Sequence, residues 1–145
     1  MTQSVDPDPT VNIFTSLAFD GQGNPVIAYG VRSVVGPVDT LKLARWTGSA
    51  WRNELVETGF VQYGQHPSIA FDAEGLPAIA HGNALDGRSG LRFVRWDGQR
   101  WAGEVFSSHG QLGRLIFDRS GNPLIGFTSQ SPGSVWLARR DKERG

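Results

Sequence analysis

Three histidines are the first side chains to test for chemistry, because an imidazole can bind a metal or move a proton near neutral pH. His81 lies in the segment PAIAHG, and two sister segments carry Tyr29 and Phe127 in its place. An imidazole that alternates with phenyl rings reads as a packed ring bonded to a neighbour, and exchange for phenylalanine should be tolerated. His66 and His109 share no spacing with each other or with any acidic residue, so the three ligands a zinc site needs are not marked. Asp20, Asp72 and Asp118 recur, each with a glycine three residues on and a proline five residues on. D-x-x-G-x-P offers too few oxygens for a calcium loop, and it suits a turn in which aspartate accepts backbone N–H bonds. Arg45, Arg95 and Arg139 also recur, as do Glu54 and Glu104. Arg and Glu diagonal on one face make an ion pair in each of the first two copies, not the two acids about 5 to 9.5 Å apart that a glycosidase uses. Neither a G-x-S-x-G elbow, an H-E-x-x-H helix nor a phosphate loop occurs. The expectation is a protein without catalytic residues, metal or cofactor.

The elements that would position these groups come in three copies. SLAFDGQGNPVIAYG begins at Ser16, SIAFDAEGLPAIAHG at Ser68 and RLIFDRSGNPLIGFT at Arg114, spacings of 52 and 46 residues. LKLARWTGSAWRNELVE from Leu41 matches LRFVRWDGQRWAGEVFS from Leu91, and the third copy opens with VWLARRDKERG. Each copy reads as four short strands. The first, such as Leu17 to Asp20, is apolar on both faces and suits an innermost strand; the D-x-x-G-x-P turn leads to the second. The third and fourth are joined by TGSA or DGQR, which sets Trp46 against Trp51 and Trp96 against Trp101 as cross-strand pairs. Four-stranded units of this length without helical periodicity are the sequence form of a β-propeller blade. A flat solenoid or a β-sandwich competes, but a sandwich leaves the repeats unexplained.

The fold class expected is all-β, a single domain over 1–145: three four-stranded blades at about 16–58, 68–107 and 114–145, half of a ring completed by oligomerisation. The third blade reaches its end before a fourth strand, and TQSVD stands in the register of the end of a strand four. Residues 1–6 of another copy are therefore expected to supply the missing strand, with Leu17, Phe19, Leu115 and Phe117 packing between the first and third blades. Two chains give six blades, within the four to eight that propellers use, so a homodimer is expected ahead of a nine-bladed trimer.

RWTGSAWRNELV and RWDGQRWAGEVF resemble the W-D-G-x-x-W blades of fucose-binding propeller lectins, small bacterial and fungal proteins whose short chains can trimerise into a six-bladed ring. GNPVIAY and LKLARW are also similar to blades found in tandem in many bacterial propeller proteins. In the lectins an arginine, a glutamate and a stacking tryptophan make the sugar pocket. The arginine position falls near Ile27, Ile79 and Ile125, and the glutamate position near Leu43, Phe93 and Leu137, none of which can hydrogen-bond a sugar hydroxyl. What the resemblance implies here is architecture, with only the tryptophan retained.

Lys plus Arg and Asp plus Glu each number 14, so no net field attracts nucleic acid or an anionic membrane. There is no cysteine, and no run of 18 apolar residues or signal-peptide pattern opens the chain, which reads as soluble with its compartment unassigned. If the repeats are scaffold, ligands belong to what differs between them. The non-repeated loop residues Arg32, Asp39, Tyr63, Asn83, Asp86 and Arg88 are the binding candidates. A self-assembling scaffold that binds a carbohydrate or a protein is the first functional expectation. A purely structural or constructed propeller fragment is the second, and a hydrolase of propeller fold the third.

Overall fold

The computed structural model describes residues 2–36, 38–60, 65–85, 88–130 and 133–140. Within them the chain runs through β1 (Val11–Phe19), β2 (Pro25–Val31), β3 (Val38–Trp46), β4 (Trp51–Phe60), β5 (Gln65–Phe71), β6 (Pro77–Leu85), β7 (Arg88–Trp96), β8 (Trp101–Ser107), β9 (Gln111–Phe117), β10 (Pro123–Gln130) and β11 (Gly133–Arg139). Sheet 1 is β1-β2-β3-β4 and sheet 2 is β5-β6-β7-β8, while β9, β10 and β11 form sheet 3, all antiparallel and each in sequence order. The described residues contain no helix.

The recurrent aspartate builds the first turn of every sheet. Asp20 Oδ1 accepts the N–H groups of Gln22 and Asn24 at 2.9 and 2.8 Å, and Gly23 turns the chain at φ 81°. Asp72 and Asp118 repeat this, with Gly75 and Gly121 at φ 76° and 78°. Only glycine takes such φ values without strain, and proline then opens the next strand at its first position, where its missing N–H costs least. At the outer edge Trp46 lies opposite Trp51 and Trp96 opposite Trp101, each pair with ring centroids 5.5 Å apart.

The core consists of two joints between sheets. Val26, Ala28, Leu41, Leu43 and Val56 of sheet 1 pack on Ile69, Ile79 and Val94 of sheet 2. Ala78, Ala80, Leu91 and Phe93 of sheet 2 pack in turn on Leu115, Ile125 and Phe127 of sheet 3. Strand β5 lies between β1 and β9, so the first strand of each sheet is innermost. A serine hydroxyl ties these strands together: Ile69 N donates to Ser16 Oγ at 3.1 Å, and Leu115 N to Ser68 Oγ at 3.0 Å.

One parity differs from the sequence expectation. Leu115 and Phe117 face sheet 2 inside the chain and are not free to meet a first sheet. Successive strand residues point to opposite faces, so the outward side of β9 belongs to their neighbour Ile116.

Candidate functional site

The carboxylates of this fold hold joints and turns. Glu57, on β4, reaches across the first joint to β6 and β7, where His81 and Arg92 are register partners. Its Oε1 lies 2.6 Å from His81 Nε2, and its Oε2 accepts from Arg92 Nη2 at 2.9 Å. The His81 side chain is fully buried, and Nδ1 lies 2.9 Å from the carbonyl of Gly82. Burial pushes the Glu57 carboxyl up, but the hydrogen bonds and positive charge of His81 and Arg92 outweigh it and bring it down to about 2. Since the folded value lies below the ordinary 4.5, the stabilisation is complete above pH 4.5 and is lost as pH falls towards 2. A melting series from pH 5 to pH 2.5 should therefore fall more steeply for the native chain than for Glu57→Gln. Parallel curves would remove Glu57 from the acid response.

A second clamp has the same form. Tyr29 and Lys42 are register partners on β2 and β3, and both meet Asp6: the tyrosine hydroxyl at 2.7 Å and Nζ at 3.3 Å. The Tyr29 hydrogen bond leads in lowering the Asp6 carboxyl, helped by Lys42. Burial, followed by the bond to Asp6 and its charge, raises the Tyr29 phenol. Asn53 Nδ2 also donates to the carbonyl of Val5 at 3.2 Å, so the N-terminal segment lies along the outer part of sheet 1.

The recurrent Arg–Glu pair forms in the first copy only. Arg45 donates to Glu54 at 3.2 Å, whereas Arg95 turns to Asp72 and Glu104 pairs with Arg140 of sheet 3. Asn24 and Asn122 use their side-chain amides to cap Oδ2 of Asp20 and Asp118 at 3.3 and 3.0 Å. Leu76 stands in that place in the second copy, and Arg95 Nε supplies the donor to Asp72 Oδ2 at 3.1 Å instead. The turn residue does not decide this alone, since Arg139 also meets Asp118 Oδ2, at 3.4 Å, beside the Asn122 cap.

Two open clefts flank β1. One, of about 340 Å³, lies along the innermost strands and is lined by Phe14, Thr15, Ser16, Leu17, His66, Pro67, Ser68, Gly113 and Arg114, with no carboxylate among them. His66 is the one non-glycine residue with positive φ, 47°, among the described residues, and its ring lies on Phe14 at 3.5 Å. The other cleft, of about 380 Å³, is lined by Pro9, Thr10, Val11, Asn12, Arg32 and Val34.

Of the loop candidates, Arg32 is exposed beside this second cleft, while Asp39 is buried and accepts the Ser33 amide at 3.1 Å. Asn83 and Arg88 are placed by their backbones in β6 and β7, and their side chains lie outside the described residues, as do Tyr63 and Asp86 altogether. Arg32 and Asp39 flank the β2–β3 connection, each one residue beyond the Val31–Thr40 register pair. No group of three or more His, Asp or Glu able to hold a metal occurs among the described residues. The Glu57 and Asp6 clamps were not legible in the sequence, although the order valine then acid recurs at Val5-Asp6 and Val56-Glu57.

No family model matches the chain, and no curated protein matches its sequence. Solved structures do match in shape. An endo-arabinase from Bacteroides thetaiotaomicron covers 100% of this chain at a TM-score of 0.66 and 13% identity. A fucose lectin from Kordia zhangzhouensis, solved with methyl-fucoside, aligns with 88% of this chain and 92% of its own at a TM-score of 0.58 and 14% identity. A GH43 endo-arabinanase from Bacillus licheniformis aligns with 87% of this chain at 0.56 and 16% identity. The chain spans 61% of the length of the first of these enzymes and 50% of the second. Likeness at such identities is one of fold, and it gives the chain an all-β, propeller-like architecture.

Proposed function

We propose that the chain is a non-enzymatic half-ring of three blades that closes with a second copy and serves as a binding scaffold. The observation that carries this reading is a contrast between equivalent positions. Ile69 and Phe71 of sheet 2 pack in the first joint, whereas their counterparts Leu17 and Phe19 on sheet 1 are 61% and 64% exposed. At the other end, Leu91 and Phe93 of sheet 2 are buried in the second joint, whereas Val135 and Leu137 of sheet 3 are 86% and 68% exposed. The two open faces are thus the two halves of the joint that occurs twice inside the chain. An apolar sheet face left in water is unfavourable, and the same repeat from another copy is its natural cover.

The non-enzymatic part rests on the carboxylates. Glu57, Asp72 and Glu54 are held by cations, the turn aspartates by backbone amides, and the described cleft along the innermost strands is lined by none. Paired-acid hydrolysis needs two such groups facing a cleft. For a ligand, the neutral sugar in the Kordia lectin is the chemistry to try first, at the clefts beside β1. Native mass spectrometry at micromolar concentration should show a two-chain ring, and a folded monomer would overturn assembly. Titration of methyl-fucoside and a glycan panel, followed by tryptophan emission, tests the scaffold's ligand; no response from any glycan would discard carbohydrate.

A further inference from the structure

Strand four of each complete sheet contains a bulge at one place. In sheet 1, Leu41 pairs with Glu57 and Lys42 with Leu55, leaving Val56 as the extra residue. In sheet 2, Leu91 pairs with Ser107 and Arg92 with Val105, leaving Phe106. The bulged residue is apolar and turns into the next joint: Val56 belongs to the first core and Phe106 packs on the second. In sheet 1 the residue after it meets the register pair on strands two and three of the next sheet. For Glu57 that pair is His81 and Arg92, and the contact is ionic. For Ser107 the corresponding pair is Phe127 and Trp136, two rings with no charge to balance.

Ser4-Val5-Asp6 repeats Leu55-Val56-Glu57 and Val105-Phe106-Ser107. Asp6 meets Tyr29 and Lys42, which hold on sheet 1 the places that His81 and Arg92 hold on sheet 2. The match extends to Asn53: its place on sheet 2 belongs to Gly103, where an added Cβ would come within 2.6 Å of Arg92 Nη2. Residues 4–6 therefore lie on sheet 1 as a strand four lies on the sheet that follows it. They lack only the third strand to pair with, and they form no strand within the chain. Among the described residues the third strand without a fourth is β11, whose outer edge carries Val135, Trp136 and Leu137.

We infer that residues 3–6 complete the third sheet of a second copy in one register: Asp6 opposite Val135, Ser4 opposite Trp136 and Gln3 opposite Leu137, with Val5 as the bulge. This rests on the ring reading proposed above and adds the register in which the N-terminal strand closes it. Pro7 has no N–H, and Asp6 Oδ1 accepts the Asp8 amide at 3.1 Å, so pairing stops after Asp6. The N-terminal segment need not leave its own sheet 1, because the partner's edge comes to it. Both raw edges are removed at once.

The chain has no cysteine, so engineered pairs report without background. Opposed residues in antiparallel strands have Cα atoms about 4.5 to 5.5 Å apart, inside the range a disulfide spans. A Ser4→Cys chain mixed with a Trp136→Cys chain should, on oxidation, yield a covalent heterodimer at least tenfold more abundant than the same chain mixed with Val135→Cys, whose side chain points to the other face. Linkage at Val135 instead, or none while native mass spectrometry still shows the ring, would overturn the register and leave the ring. Loss of the ring in the unmodified chain would overturn both. Gln3→Cys with Leu137→Cys gives the same reading from the next register pair, should loss of Trp136 unfold the third sheet.

Discussion

Glu57→Ala is expected to cost about 3 to 5 kcal/mol in chemical denaturation, the range found when one member of a buried ion pair is removed. Glu57 is a carboxylate shared by the fully buried His81 and the nearly buried Arg92, and all three lie between sheets 1 and 2. Removing it withdraws one acceptor from each at once, in a place water reaches poorly. Glu57→Gln keeps an oxygen acceptor and should lose less. The same geometry gives His81→Phe a cost in stability, whatever it does to assembly or binding. Phe127 fills the matching place in sheet 3, where the Ser107 hydroxyl donates to the His109 carbonyl, whereas Phe at 81 would take a hydrogen bond from Glu57. A loss of about 1 to 3 kcal/mol follows from leaving part of that carboxylate unsatisfied. The measurements belong at concentrations where the chain is monomeric, so that folding is read without association. A loss below 1 kcal/mol for Glu57→Ala would show that the clamp is solvated and that apolar packing alone holds the joint.

The second large effect concerns association. Leu17→Asp with Phe19→Asp should dissociate the ring at micromolar concentration while leaving the monomer's melting nearly unchanged. In the single chain both side chains are mostly in water, so charge there costs little. Across a closed seam each would be buried, which forfeits about 1.5 to 3 kcal/mol of apolar transfer per residue and adds an unpaired carboxylate. Two substitutions thus weaken each seam by about 3 kcal/mol or more, over a hundredfold in affinity. Sedimentation velocity would read this directly. Unchanged association would move the interface away from the innermost strands, and a collapse in melting would mean that these side chains support the monomer.

Much of the fold was written in local pattern. The turn at Asp20, Asp72 and Asp118 is a short-range device, in which one aspartate, one glycine and one proline determine the hairpin whatever surrounds it. The tryptophan pairs likewise follow from a tight turn of known length. What escaped was decided between sheets. Alternation puts Leu115 and Phe117 on one face of β9, but which face meets a neighbour depends on the order of the sheets in space, so Ile116 was passed over. The partner of Arg95 was likewise hidden, because Asp72 lies in a turn some twenty residues away in sequence. His81 read as a packed ring bonded to a neighbour, which holds, but the neighbour, Glu57, came from the preceding repeat. Among the loop residues, Asp39 is buried and accepts the Ser33 amide, a placement that the loop sequence does not reveal.

Ser16 and Ser68 each lend a hydroxyl to the amide of the next innermost strand, and Arg114 is the third residue in that series. A guanidinium has donors only, so it cannot accept the amide of Leu17 from another copy. In a two-chain ring, the joints within chains would be stitched at the axis and the seams between chains would not. Such a ring exchanges subunits: warmed or diluted, it parts at the seams into intact halves, and two differently labelled populations should mix long before either unfolds.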